Sequence, residues 1–93
     1  MDQKKTSKTL SAEELYDMAY DLYEKEDYVQ AKPLLEQAAE MGYAHAMNVL
    51  GVLYDDGLGV PQDYVKAVEL YEKAAERGEV FAMINLGLNY YTS

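Results

Sequence analysis

Apolar residues recur along this chain at helical rather than strand spacing. Between residues 12 and 26, Leu15, Met18, Ala19 and Leu22 fall at i, i+3, i+4 and i+7, on one side of an amphipathic helix. Ser11 stands just ahead, with Glu14 three residues on; this is a capping box that satisfies two orphan donors at the helix start. Asp27 opens a second helix as its N-cap. Val29, Ala31, Leu34, Leu35 and Ala38 are expected to face inward there until Gly42 ends the helix. A third helix covers about Ala44 to Asp55, with Met47, Leu50, Gly51 and Tyr54 along one side. Gly57-Leu58-Gly59-Val60-Pro61 reads as a loop. Asp63 caps a fourth helix, which carries Ala67, Leu70, Tyr71 and Ala74 and ends at Gly78. A fifth runs from about Glu79 to Tyr91. One residue conflicts with its helix. Pro33 removes a backbone donor six residues after Asp27, so the helix is expected to start late or bend, with Pro33 on the solvent side.

These elements repeat. Ala38-Ala39-Glu40-Met41-Gly42 returns 36 residues later as Ala74-Ala75-Glu76-Arg77-Gly78. In the same register Ala31 becomes Ala67, Ala46 becomes Ala82, Leu50-Gly51 becomes Leu86-Gly87, and Tyr54 becomes Tyr90. Small residues also fall at matching places. Ala19, Gly51 and Gly87 correspond in the first, third and fifth helices, and Ala31 and Ala67 in the second and fourth. They let helix axes approach, with Leu22, Tyr54 and Tyr71 filling the space between. A helix pair of this kind cannot bury its apolar face alone, so stacking supplies the core. The predicted fold is all-α, a short αα superhelical solenoid of about five antiparallel helices. It occupies residues 11–93, with repeats at about 11–42 and 43–78 and a half repeat at 79–91.

The first unit, Leu15-x-x-Met18-Ala19-x-x-Leu22 followed by Tyr28-x-x-Ala31-x-x-x-Leu35-x-x-Ala38, resembles a tetratricopeptide repeat. The second is similar to the related Sel-1-like repeat. Its matching residues run from Ala46-x-x-x-Leu50-Gly51-x-x-Tyr54 through Gly57-x-Gly59-Val60 and Asp63-x-x-Lys66-Ala67 to Tyr71-x-Lys73-Ala74-Ala75-Glu76-x-Gly78. The second unit holds four more residues between its helices than the first, the glycine loop. The third keeps Leu86-Gly87-x-x-Tyr90.

Charge narrows the partners. The chain of 93 residues carries 8 Lys and Arg against 17 Asp and Glu, for a formal charge of −9. Residues 1–10 run against this with three lysines and one acid, and are expected to form a disordered basic leader. Residues 11–42 are the most acidic, with nine acids and two bases. Such a balance argues against nucleic acid and anionic membrane surfaces as partners. No run of about 18 apolar residues is present, so no membrane span is expected. The leader lacks the apolar stretch of a signal peptide, leaving the cytoplasm as the default location. With no cysteine there is neither a disulfide nor a thiolate metal site.

Catalytic chemistry is hard to assemble from these residues. His45 is the lone histidine, so a metal site is not expected. Ser7, Ser11 and Ser93 lie at termini or caps, which removes any Ser/His/Asp triad. Asp55-Asp56-Gly57 lacks the alternating acids of a calcium loop. Gly57-x-Gly59 is a turn signal requiring positive φ rather than a phosphate cradle. The chain is expected to be neither an enzyme nor a cofactor carrier.

The resemblance implies binding instead. Solenoids of this kind hold peptides on the concave surface formed by the first helix of each pair. Carried over by position, the concave side presents Glu13, Tyr16, Asp17, Tyr20 and Tyr23 of the first helix, His45, Asn48, Val52 and Asp55 of the third, and Phe81, Ile84, Asn85, Leu88 and Tyr91 of the fifth; Tyr16, Tyr20, Tyr23, His45, Asn48, Val52, Asp55 and Asn85 are assigned to the groove itself. Tyrosine offers rigid area with a hydroxyl, and asparagine can hydrogen-bond a peptide backbone. The acids among them favour a protein or peptide bearing Lys or Arg. The fifth helix is apolar nearly all round, which calls for burial on all sides. Phe81, Ile84, Leu88 and Tyr91 are therefore the expected oligomer or stacking face. The alternative function is a structural solenoid piece that continues into a longer array or forms a homo-oligomer through that helix.

Overall fold

A computed structural model describes residues 9–92; the leader expected at residues 1–10 falls almost wholly outside them. Five helices of 13 residues follow one another: α1 (Ala12–Glu24), α2 (Tyr28–Glu40), α3 (Ala44–Asp56), α4 (Tyr64–Glu76) and α5 (Val80–Thr92). Three of the four connections are three residues long, too short for anything but an antiparallel neighbour. Each helix packs chiefly on the next in the chain, α1 on α2 through to α4 on α5. The radius of gyration is 14.2 Å, against about 12 Å for a compact domain of this length. Helices added in sequence elongate the molecule instead of wrapping a single centre.

The local signals explain the boundaries. Ser11 accepts from the Glu14 N–H at 3.1 Å, and the Glu14 carboxylate accepts from the Ser11 N–H at 2.9 Å, which closes the capping box. Asp27 and Asp63 accept from the N–H three residues on. The three-residue connections close alike. The Asp27 N–H reaches back to Leu22, Tyr43 to Ala38 and Glu79 to Ala74, the 6→1 bond that ends a helix on a left-handed residue. Gly42 and Gly78 supply that residue twice, and Glu26 supplies it at φ 63° after α1.

Two inward assignments are corrected. Val29 is 71% exposed. The core stripe of α2 is Ala31, Leu35 and Ala38, and at 100° per residue Val29 lies on the opposite side. Pro33 shares that outer side and is exposed. The helix runs from Tyr28 to Glu40 without a break, because the missing Pro33 donor faces water, where the Val29 carbonyl can be hydrated. Met18 is 47% exposed, whereas Leu50, at the corresponding place in α3, is 4% exposed. Leu50 lies between α2 and α4, which both pack on α3, whereas α1, the first of the described helices, packs chiefly on α2.

The glycine loop joins the units. Gly59 has φ +72°, and a Cβ there would lie 2.8 Å from Cβ of Tyr28. A residue without a side chain lets this loop rest on the start of α2. Leu58 and Val60 on either side pack into the core of Leu15, Leu35 and Leu53. Gln62 Nε2 donates to the Asp55 carbonyl at 2.8 Å and closes the loop. The four extra residues thereby tie the second unit to the first.

Candidate functional site

The first helices of the units form one continuous wall. Tyr16, Tyr20 and Tyr23 recur at i, i+4 and i+7 on α1, so their rings lie along one face. Tyr16 stacks on Tyr20 at 5.7 Å between ring centroids, and Tyr20 on Tyr23 at 5.6 Å. Tyr28 meets Tyr23 edge-on at 5.6 Å. At the other end, Tyr43 and His45 lie 5.3 and 5.8 Å from the Tyr16 ring. The result is a row of six rings, each held by its neighbours at distances where aromatic pairs attract.

Four of these rings, Tyr16, Tyr20, Tyr23 and His45, line a groove of about 480 Å³ together with Asn48 and Val52 of α3 and Asn85 of α5. Asn85 Nδ2 donates to Asn48 Oδ1 at 2.9 Å. Each amide carries two donors and an acceptor, so the pair keeps further hydrogen-bonding capacity toward the groove. Of the eight residues assigned to the groove from sequence, seven line it.

Asp55 does not, and this is a correction. Its carboxylate accepts from the Tyr71 hydroxyl at 3.0 Å and from Asn89 Nδ2 at 3.1 Å. It is a structural joint between α3, α4 and α5. The reason is positional: Asp55 lies one turn beyond Gly51, where the Tyr71 ring crosses α3 and delivers its hydroxyl. Phe81 and Ile84, expected on the concave side of the fifth helix and also named for the stacking face, line the groove beside Asn85.

Three lining or supporting residues were missed. Val49 lines the groove and is a core residue of α3. Tyr43 completes the ring row. Glu79, 6% exposed, lies on the groove floor with Oε1 2.5 Å from His45 Nδ1. The signal for the last two was present: Tyr43 and Glu79 are 36 residues apart, each just ahead of a first helix.

The groove is polarised. Glu79 is on its floor, and Glu13 and Asp17 lie close enough to act on the Tyr43 hydroxyl. None of its lining residues is a Lys or Arg. Burial, then Tyr20, Tyr43, Glu79 and Asp17, push the Tyr16 hydroxyl up to about 12 from an ordinary 10.0. Tyr23 and Tyr43 move the same way, burial again being the main cause. A hydroxyl with a raised folded-state pKa holds its proton longer in the folded protein. Its stabilisation is complete below pH 10 and is lost as pH rises to about 12. Urea unfolding across that window is expected to show falling stability. Tyr16→Phe, which has no proton to lose, is expected to fall less steeply.

A second groove, of about 310 Å³, lies between α2 and α4 over Met47 and Leu50 of α3. Glu36 and Glu40 are mixed there with Lys66 and Lys73, so it lacks both the aromatic wall and the single sign of charge. Among the described residues, no three His, Asp or Glu side chains gather as a metal site would require. No helix among them is long and apolar enough to cross a membrane.

Stacked antiparallel helix pairs, with the first helices sharing an aromatic groove, define a helical-repeat interaction module. Comparison with family models gives the particular repeat: the Sel1 repeat model matches residues 15–43, 44–79 and 80–93. The chain belongs to the Sel1 repeat family, whose units are non-enzymatic and mediate protein–protein interaction. Comparison with curated proteins finds no match.

Proposed function

We propose that this chain is a non-enzymatic binding module that holds an extended or helical segment of a partner protein in the α1–α3–α5 groove, with preference for a segment bearing Lys or Arg. The observation carrying this reading is the stacked row Tyr16–Tyr20–Tyr23 lining one groove with the hydrogen-bonded Asn48–Asn85 pair. Stacked rings lose little side-chain entropy on binding, and the asparagines can pair with a peptide backbone. Glu79, Glu13 and Asp17 supply the sign of charge, and such complementarity acts on association rate and selectivity.

Fluorescence anisotropy with a peptide panel, equal in length but basic, neutral or acidic, tests this. Basic peptides are expected to bind best, with affinity falling as salt rises. Tyr20→Ala with Asn48→Ala should weaken binding by at least tenfold, since removing an aromatic hot spot costs about 2 kcal/mol or more. The sedimentation coefficient should not change. Equal binding of acidic peptides would refute the charge preference, and unchanged affinity of the double variant would refute the groove.

A second reading rests on α5, whose role is then assembly. Phe81, Ile84, Leu88 and Tyr91 are 51–89% exposed, and no charged residue occurs between Val80 and Thr92. In a protein of charge −9, this helix is where another polypeptide meets neither charge repulsion nor ionic desolvation.

A further inference from the structure

Among the described residues, Glu79 is the one carboxylate lining the groove. It immediately precedes α5 and is 6% exposed. Taking a carboxylate out of water is costly unless a cation or hydrogen-bond donors meet it. Here the partner is His45, whose Nδ1 lies 2.5 Å from Oε1. The two side chains differ in access, with His45 55% exposed and Glu79 5%. His45 therefore covers the carboxylate from the solvent side and has room to turn away from it.

The repeat marks this acid out. The residues just ahead of the three first helices are Ser11, Tyr43 and Glu79, so an acid occupies that place in one unit of the three. The start of α5 favours it as an anion, since the unpaired N–H groups of the first turn lie there. Around His45, α1 brings the Tyr16 ring to 5.8 Å and the α2–α3 connection brings the Tyr43 ring to 5.4 Å. Glu13 and Asp17 of α1 lie near the Tyr43 hydroxyl. Arg77, the base of the α4–α5 connection, lies beside Gly42, and α5 carries no charged residue. Imidazole is the side-chain type that changes charge between about pH 5 and 8. Burial moves both tyrosine hydroxyls further above that window.

We propose that Glu79 reads the cation of the bound segment and that His45 is a built-in competitor for it. A Lys or Arg side chain passing over the Tyr16 ring pairs with the Glu79 carboxylate, while His45 turns outward and gives its proton to solvent. This deepens the groove reading above and rests on it. Both His45 and Glu79 line the groove, so one group lying in it reaches the pair. With His45 charged, the carboxylate is already neutralised and the incoming cation gains little. With His45 neutral, the buried charge is left for the partner. Lys and Arg keep their charge throughout the window, and the ring face adds attraction for either. The sign follows: affinity for a basic segment rises with pH, and the acid in one unit alone makes one Lys or Arg of that segment decisive.

The probe is the basic peptide of the panel above, titrated into the full chain from about pH 5.5 to about pH 8 by fluorescence anisotropy. Displacing one proton changes affinity by up to about tenfold per pH unit, and a rise of about tenfold across the window is expected. His45→Gln keeps a neutral polar side chain at a half-exposed position. It should hold the higher affinity at every pH. Glu79→Gln should lose about tenfold for the basic peptide at the upper end and nothing for the neutral one. The chain has one histidine, so its imidazole NMR signals report directly, and saturating peptide should move their titration to lower pH. These signals and the wild-type profile decide the matter even where Glu79→Gln folds poorly. A flat wild-type profile, or a rise that His45→Gln reproduces, would overturn the proposal while preference for the basic peptide still upheld the groove reading. No preference for the basic peptide at any pH would overturn both.

Discussion

Tyr71→Ala is expected to destabilise the protein by about 3–5 kcal/mol, the range for removing a buried aromatic side chain. A domain of this size has about 5–15 kcal/mol in total, so the variant should be largely unfolded at modest urea concentration. Two effects add. The ring is the largest fully buried side chain and fills the space that Gly51 leaves between α3 and α4. Its hydroxyl is also held by Asp55, which in turn accepts from Asn89 of α5. Burial, and then that hydrogen bond, raise the Tyr71 pKa well above the usual tyrosine value, as expected for a donor kept in its neutral form. Tyr71→Phe separates the two effects. It keeps the ring and loses the hydrogen bond, at a cost of about 1–2 kcal/mol. Equal losses in the two variants would mean that the ring itself contributes little to the fold.

Gly51→Ala and Gly87→Ala should move stability in opposite directions, although the two glycines are equivalent in sequence. At Gly51 the added methyl meets Tyr71 Cε1 at 2.7 Å and Cδ1 at 2.8 Å. The ring cannot yield, because it is buried and tied through Asp55. Overpacking of this kind costs about 1–3 kcal/mol, which outweighs the gain of up to about 1 kcal/mol from placing alanine in a helix. At Gly87 no atom is in reach, and the helical gain of about 1 kcal/mol remains. Thermal melts of the two variants beside wild type check this directly. A stabilised Gly51→Ala would show that α3 and α4 do not approach as closely as the structure has them.

Most of the fold is legible in the sequence because it is local and repeated. Ser11, Asp27 and Asp63 mark helix starts by the hydrogen bonds their side chains make within one turn. The 36-residue register of alanines and glycines fixes which helices correspond. Val29 and Met18 are harder to place, since hydrophobic spacing alone does not say which helix covers which side. Their exposure depends on the direction of the α2 core stripe and on the neighbours α1 has in the stack. The groove is legible in part for the same reason. Its tyrosines lie on one helix at helical spacing, whereas Glu79 and His45 are 34 residues apart in sequence and meet only when α3 and α5 lie side by side.

By itself, then, the sequence determined the elements, their repeat and their ends, all products of interactions within a few residues. It also determined the acidity of the chain and the aromatic stripe of α1. Tertiary structure alone decided that Asp55 serves as a joint between three helices while its α1 neighbours form a groove, because a hydrogen bond from Tyr71 depends on how α4 crosses α3. It also decided that Gly51 is filled and Gly87 open. The two glycines, each in a Leu-Gly-x-x-Tyr setting, differ there for one physical reason: α3 has a helix lying across that face, and among the described residues α5 does not.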